Sequence, residues 1–314
     1  MSAGPFVDPL AAAADGEAAP VSAEAFVWPA PAKLNLFLHV TGRRDDGYHE
    51  LQTAFQFVGL CDEIELSVRA DDRIERDGSL PGVAARDDLT VRAALALRTA
   101  SGVGHGATIR VRKRIPMGGG LGGGSSDAAT VLVALNALWG IDWPPGRLAE
   151  IGLALGADVP VFVHGHAAWA EGVGERLALL APLEQWFVLL RPECAIATAA
   201  VFGDPRLTRN TPPQRISAFA DGFGHNDCEP VVRARHPPVG AAMDWLSSRV
   251  PARLTGTGSC IFGRCGTGPV GEARAREVAA QAEAHGLEAW AVRGLNRSPL
   301  LEALSHWRGL VGRA

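Results

Sequence analysis

Apolar and polar positions alternate along residues 33–40, with Leu34, Leu36, Leu38 and Val40 on one face and Lys33, Asn35, Phe37 and His39 on the other. This period of two predicts a half-exposed strand and sets Lys33 beside Asn35. Residues 63–68 alternate in the same way. At residues 89–99 the spacing becomes helical, directly after Asp87 and Asp88, either of which can cap the helix. Residues 108–115 return to alternation: Arg110, Arg112 and Arg114 share a solvent phase, while Ile109, Val111, Lys113 and Ile115 share the apolar one. A charge in that phase is costly without an anionic partner or a polar cleft, so Lys113 needs one or the other.

That strand runs into six glycines within the seven positions 118–124, followed by an apolar helix over 128–139 with Ser125, Ser126 or Asp127 as N-cap. A short helix is expected over 148–155. Pro160 then favours an extended Val159, which places Asp158 at a junction between that helix and a strand over 161–163. The plain role for such an aspartate is a helix cap; the functional one is a catalytic side chain at a junction. Composition changes near Ala181 and Pro182. Beyond it, strands are expected at 187–190, 254–263 and 289–292, and helices at 243–249 and 272–285. Strands and helices interleave without a continuous βαβ repeat, which indicates a two-domain α+β protein divided near residue 184. Residues 1–24, rich in alanine and proline, are expected to form a disordered tail ahead of domains over 25–184 and 185–314.

A chain of 314 residues with 47% hydrophobic content can bury a large core. Its net charge of -4, with basic residues scattered singly, points to no nucleic acid and no membrane surface as partner, and so to a small molecule. Five cysteines at irregular spacing argue against a disulfide framework, and no apolar run is long enough to span a bilayer, so a cytoplasmic location is expected. One feature of the composition is sharper. Among the 30 basic residues, only Lys33 and Lys113 are lysines, and Tyr48 is the single tyrosine. A chain that otherwise uses arginine keeps lysine where a compact point charge is needed.

A strand, a glycine loop and a helix N-terminus together form an anion site, because unpaired backbone N–H groups and the helix dipole converge there. The Walker A pattern is missing, since no lysine follows the glycines. A literal GxGxxG occurs at Gly118, Gly120 and Gly123, with Asp142 about 20 residues on. It does not open the first βαβ unit, however, and Asp142 lies in a turn. The third reading is a kinase loop around the phosphates of a nucleotide. Here the sequence resembles the GHMP kinases in three motifs: Pro31-Ala-Lys-Leu-Asn-Leu36, Pro116-Met-Gly-Gly-Gly-Leu-Gly-Gly-Gly-Ser-Ser126, and Leu254-Thr-Gly-Thr-Gly-Ser-Cys-Ile-Phe262. Further segments, Asp46-Gly-Tyr-His-Glu-Leu-Gln52, Gly156-Ala-Asp-Val-Pro160, Glu171-Gly-Val-Gly-Glu175 and Asn226-Asp-Cys-Glu229, resemble the branch of that family whose acceptor carries cytidine.

The resemblance implies the GHMP kinase fold, with an N-terminal ribosomal-protein-S5-domain-2-like ATP-binding domain and a C-terminal ferredoxin-like domain. It also implies ATP-dependent phosphorylation of an alcohol on a small molecule carrying a cytidine diphosphate group, a step in non-mevalonate isoprenoid precursor synthesis. Asp158 matches the family's base and Lys33 its partner. Pro116, Met117, Gly118, Gly119, Gly120, Leu121, Gly122, Gly123, Gly124, Ser125 and Ser126 match the ATP loop. Tyr48 and Phe202 match stacking partners of the base and His49 a reader of its edge, while Asn35, Lys113 and Thr198 fall at substrate or nucleotide contacts. Mg2+ is implied as the companion of ATP, although no carboxylate cluster marks its ligands. Another GHMP alcohol kinase, or a nucleotide-binding protein of this fold without catalysis, are the competing readings.

Overall fold

The computed structural model describes residues 26–220 and 222–312. The tail expected over residues 1–24 lies outside them. Strands β1 (Val27–Arg43) and β2 (His49–Arg69) form a long antiparallel hairpin. There follow β3 (Ile74–Asp77), α1 (Leu89–Ser101), β4 (Gly106–Arg112), α2 (Gly123–Leu138), α3 (Pro145–Leu153), α4 (Val159–His164), β5 (Ala168–Gly172) and β6 (Arg176–Leu179). The remainder comprises β7 (Trp186–Arg191), α5 (Thr198–Phe202), α6 (Glu229–Arg235), α7 (Pro237–Ser247), β8 (Ala252–Leu254), β9 (Ile261–Gly266), α8 (Gly268–Ala284), β10 (Glu288–Leu295) and α9 (Pro299–Val311). The strands join in the order β3-β4-β2-β10-β7-β9-β8, with β1 and β5 also paired to β2. This mixture of helices and largely antiparallel strands is the α+β architecture expected.

Strand β1 is buried on both faces. Lys33, Asn35 and His39 are nearly as inaccessible as Leu34 and Val40, because α2 and α9 pack against the strand and the segment leading into α6 pairs with it at Leu38 and lays Phe223 on Phe37. A half-exposed strand was the expectation from alternation; here the polar phase is polar because it builds a site. Helix α2 is buried at every position from Ser126 to Ala137, as its all-round apolar sequence requires, and packs with Trp28, Phe57 and Phe162 in the main core. A second core lies among β7, α6, α7 and α8. Helix α9 returns to β1, and Leu300 joins the first core.

Three local expectations are corrected. Helix α2 begins five residues earlier than expected: its N-cap is Gly122 in the left-handed region, so Ser125, Ser126 and Asp127 sit inside the first turns. Glycine alone adopts that conformation without strain, and it therefore outcompetes the side-chain caps. Residues 161–163 belong to helix α4. Pro160 occupies its first turn, where a missing N–H costs nothing, so Asp158 joins two helices instead of a helix and a strand. Residues 254–263 are not one strand, because Gly256 and Gly258 at positive φ turn the chain between β8 and β9. By contrast, Asp88 caps α1 through the N–H of Thr90 as predicted.

Candidate active site

The hairpin, the glycine loop and the turn between β8 and β9 meet around a cavity of about 560 Å³. Their junction explains most of the glycines. The N–H of Lys33 donates to the carbonyl of Leu121 (3.0 Å), and that of Cys260 to the carbonyl of Gly119 (3.1 Å), so both neighbouring segments are stitched to the loop. A Cβ on Gly120 would lie 2.3 Å from the carbonyl oxygen of Thr255, and one on Gly119 2.5 Å from the Cys260 sulfur. One on Gly122 would meet the Phe162 ring at 2.9 Å. Gly118, Gly120 and Gly122 also hold φ near +70° to +77°. The loop is thus bare because it bends left-handed and because two other segments press against it.

Its reward is the end of α2. The first intrahelical bond runs from Ser126 N–H to the Gly122 carbonyl (2.8 Å), which leaves the amides of Gly123, Gly124 and Ser125 without acceptors in the helix. All three residues line the cavity, as do Pro116, Met117 and Leu121. The helix dipole adds positive potential at the same place, and together these make a phosphate cradle. Ser126 departs from expectation: it is fully buried and lies behind the cavity wall that Ser125 lines.

Lys33 stands in the floor. Its Nζ donates to Asn35 Oδ1 (2.5 Å) and pairs with Asp158 Oδ2 (3.2 Å), and it lies 5.2 Å from the centre of the Phe55 ring. Asn35 is held in turn, its amide N–H bonded to Thr255 Oγ1 (3.0 Å) and its Nδ2 to Thr53 Oγ1 (2.9 Å). Asp158 occupies the N-cap position of α4, yet its side chain makes no capping bond. The plain role is therefore not the one it plays. Its carboxylate is 31% exposed and faces the cavity beside Lys33, 125 positions away in sequence.

Lys113 also lines the cavity, but its anionic partners are the protein's own. Its Nζ bridges Asp62 and Asp127, with Asp127 Oδ2 at 2.7 Å. Asp62 is wholly buried and accepts the N–H groups of Arg114 (2.5 Å) and Ile115 (2.8 Å) as well. The resemblance made Lys113 a ligand contact; the structure shows it first as the counter-ion of two buried carboxylates. Burial pushes the Asp127 carboxyl up to about 8, helped by the nearby Asp62 and opposed by Lys113. Asp127 Oδ1 has no hydrogen-bond partner among the described residues. Asp62 carried no sequence signal, since it meets Lys113 only through the β2–β4 pairing.

At the other end of the cavity, Thr198 opens α5 and its hydroxyl meets that of Thr257 (3.0 Å), while Phe202 closes the helix. His49 stacks on Phe202 (5.1 Å between centroids, 26° between planes). Arg209 Nε donates to His49 Nε2 (3.1 Å), so that nitrogen is an acceptor and the neutral ring carries its proton on Nδ1. Burial, then Arg209 and Arg43, hold the His49 pKa below its ordinary value, which keeps the ring neutral. Tyr48 stands apart at the hairpin tip, 64% exposed.

Residues 88–166 match the model of the GHMP kinases N terminal domain. The chain is 55% identical over 278 residues to the 4-diphosphocytidyl-2-C-methyl-D-erythritol kinase of Halorhodospira halophila, a match spanning 87% of this chain and 94% of that protein. It is 53% identical over 275 residues to the enzyme of the same name from Thiobacillus denitrificans, covering 88% and 97%. A crystal structure of 4-(cytidine 5'-diphospho)-2C-methyl-D-erythritol kinase superposes with a TM-score of 0.74 at 33% identity, over 85% of this chain and 98% of the other. A mevalonate kinase structure, 13% identical, shares the fold with a TM-score of 0.61, over 87% of this chain and 100% of the other.

Proposed function

Because this chain belongs to the 4-diphosphocytidyl-2-C-methyl-D-erythritol kinase family within the GHMP kinases, we infer that it transfers the γ-phosphoryl group of ATP to the 2-hydroxyl of 4-diphosphocytidyl-2-C-methyl-D-erythritol. The products are the 2-phosphate and ADP, and the step serves non-mevalonate isoprenoid precursor synthesis. One observation carries the reading: Lys33 and Asp158, 3.2 Å apart, share a cavity with three residues at the start of α2 whose amides have no acceptor in the helix.

In this reading the acceptor hydroxyl lies against Asp158, whose carboxylate takes its proton as the oxygen attacks phosphorus. Lys33 offers its remaining N–H to the oxygen that gains charge. The transition state of such transfers is loose, so the largest contribution comes from positioning and charge stabilisation by the glycine loop and the helix end. The bond to the departing ADP oxygen breaks on the side facing those amides.

Phe202 and His49 suit a cytosine. A flat apolar ring offers a stacking surface, and a neutral imidazole with its proton on Nδ1 donates to an acceptor on the base edge. Tyr48, exposed at the hairpin tip, is placed in this reading on the outer face of the base, and Asn35, Lys113 and Thr198 remain proposed contacts along the cavity wall. Mg2+ takes one or two carboxylates and completes its shell with phosphate oxygens and water. Asp127, whose Oδ1 has no hydrogen-bond partner among the described residues, and Ser125, two residues before it, would hold it. When bound, the ion offsets charge on the phosphate oxygens.

The test is ADP release across a panel of 4-diphosphocytidyl-2-C-methyl-D-erythritol, mevalonate and homoserine. Turnover with the first alone is expected. Turnover with a smaller alcohol would favour another GHMP kinase, and none with any acceptor despite ATP binding would favour a non-catalytic nucleotide binder.

A further inference from the structure

We infer that Thr53 is the positioning residue that fixes the polarity of the hydrogen-bond chain behind Lys33, and that the reactive placement of the ammonium depends on it. The inference rests on the kinase reading for its activity arm and deepens it. Thr53 lies on β2, one position beyond the segment that resembles the cytidine-binding branch, and nothing in its sequence setting marks it.

The chain runs in one direction. Lys33 Nζ donates to Asn35 Oδ1 (2.5 Å), Asn35 Nδ2 donates to Thr53 Oγ1 (2.9 Å), and Thr53 Oγ1 donates to the Phe37 carbonyl (2.5 Å). Chemistry fixes both ends. An ammonium has only protons to give, and a backbone carbonyl has only lone pairs. Because the single proton of Thr53 is spent on Phe37, its oxygen must accept, so the Asn35 amide must turn its NH2 to Thr53 and its oxygen to Lys33. A register shift between Asn35 and Leu38 in β1 brings the Phe37 carbonyl within reach, since Leu38 is the residue paired with Thr53. Lys33, Asn35, Phe37 and Thr53 are all at most 3% exposed, so little water reaches the bonds between them.

The consequence lies at Lys33. With one proton held by Asn35 at 2.5 Å and another shared with Asp158 at 3.2 Å, the ammonium is kept from collapsing onto the carboxylate. Its third proton is then left for the cavity. Without the Thr53 hydroxyl, the Asn35 NH2 loses its acceptor in a buried place, and a rotated amide would set N–H against the ammonium. Lys33 would then move toward Asp158 and occupy the carboxylate that the acceptor hydroxyl needs.

The experiment uses the two-lysine composition of the chain. With 15N-labelled lysine the protein gives two Nζ signals, from Lys33 and Lys113. In Thr53→Val, an isosteric change, the Lys33 signal is expected to move while the Lys113 signal stays, and kcat to fall about 10- to 100-fold as for a misplaced catalytic group, with KM for ATP unchanged. Thr53→Ser, which keeps the hydroxyl, is expected to restore the signal and most of kcat. The inference is overturned if Thr53→Val keeps both the Lys33 signal and kcat. It is equally overturned if Thr53→Ser is as impaired as Thr53→Val, or if both lysine signals move together, which would mean general loosening. A selective shift of the Lys33 signal in a protein that phosphorylates no cytidine diphosphate acceptor would uphold the chain and refute the kinase reading instead.

Discussion

Replacing Lys113 by methionine should destabilise the protein in a way that grows as pH rises. The side chain is 18% exposed and bridges two carboxylates that are 0% and 5% exposed, so methionine keeps the packing and removes the only counter-ion of both among the described residues. Breaking a buried ion pair at one partner costs roughly 3–5 kcal/mol; with Lys113 still partly wet, about 3 kcal/mol is the figure to take. The sign of the pH dependence follows from Asp127. Its carboxyl, pushed up to about 8 by burial, binds a proton in the folded state that the unfolded chain gives up near pH 4, so its contribution to stability falls as pH rises from about 4 to about 8. Lys113 opposes that rise. Its loss lifts the carboxyl further and extends the window upward, adding about 1.4 kcal/mol of deficit above pH 8 for each further unit. Thermal melts of the two proteins at pH 6.5 and pH 9 read this directly: a loss of roughly 4–6 °C at the lower pH, for a chain of this size, and a larger one at the higher. A deficit that is nil, independent of pH or smaller at pH 9 would refute the reasoning and return Lys113 to the role of a free ligand contact.

Three further outcomes follow from the site. Asp158→Asn should lower kcat by about 10²- to 10⁴-fold while ATP binding, measured calorimetrically, stays unchanged; normal turnover would remove Asp158 as the base. Gly120→Ala should be far more damaging than Gly118→Ala in melting temperature and ATP affinity. Both hold positive φ, worth about 1–2 kcal/mol, but only the former drives a Cβ to 2.3 Å from the Thr255 carbonyl, while the latter meets open space. Equal effects would mean that the third motif does not press on the loop. Phe202→Ala should raise KM for the cytidine substrate about tenfold and leave KM for ATP alone, as expected for a lost stacking face. A rise in KM for ATP would put the nucleotide at that end of the cavity.

Elements were legible wherever one face was apolar and the pattern long. The strand at residues 187–190, the helix at 272–285 and the capped helix at 89–99 all lie where their spacing placed them. Residues 161–163 were not legible, because an apolar run of three after a proline suits a strand and a first helical turn alike. The start of α2 was misplaced for a related reason: serine and aspartate are the usual caps, and a glycine in the left-handed region leaves no mark among other glycines. Lys33 and Asn35 line the cavity that their motif suggested, and Thr198 lines it too, whereas Ser126 does not, since a rotation of about 100° along the helix turns it from the face that Ser125 presents.

What the sequence determined by itself was the inventory: two lysines, a glycine run before an apolar helix, an aspartate at a junction of elements, and the motif order that resembles the GHMP kinases. These are local properties, set by residue type and spacing. Only the tertiary structure decided which charges meet. Lys33 and Asp158 are joined because α2 packs against both β1 and α4, and Lys113 meets Asp62 through the β2–β4 ladder and Asp127 through the start of α2. Thr53 acquires a role because a register shift brings the Phe37 carbonyl to its hydroxyl. Periodicity reports the face on which a side chain lies; its partner across that face is a matter of register and packing, which no single stretch of chain encodes.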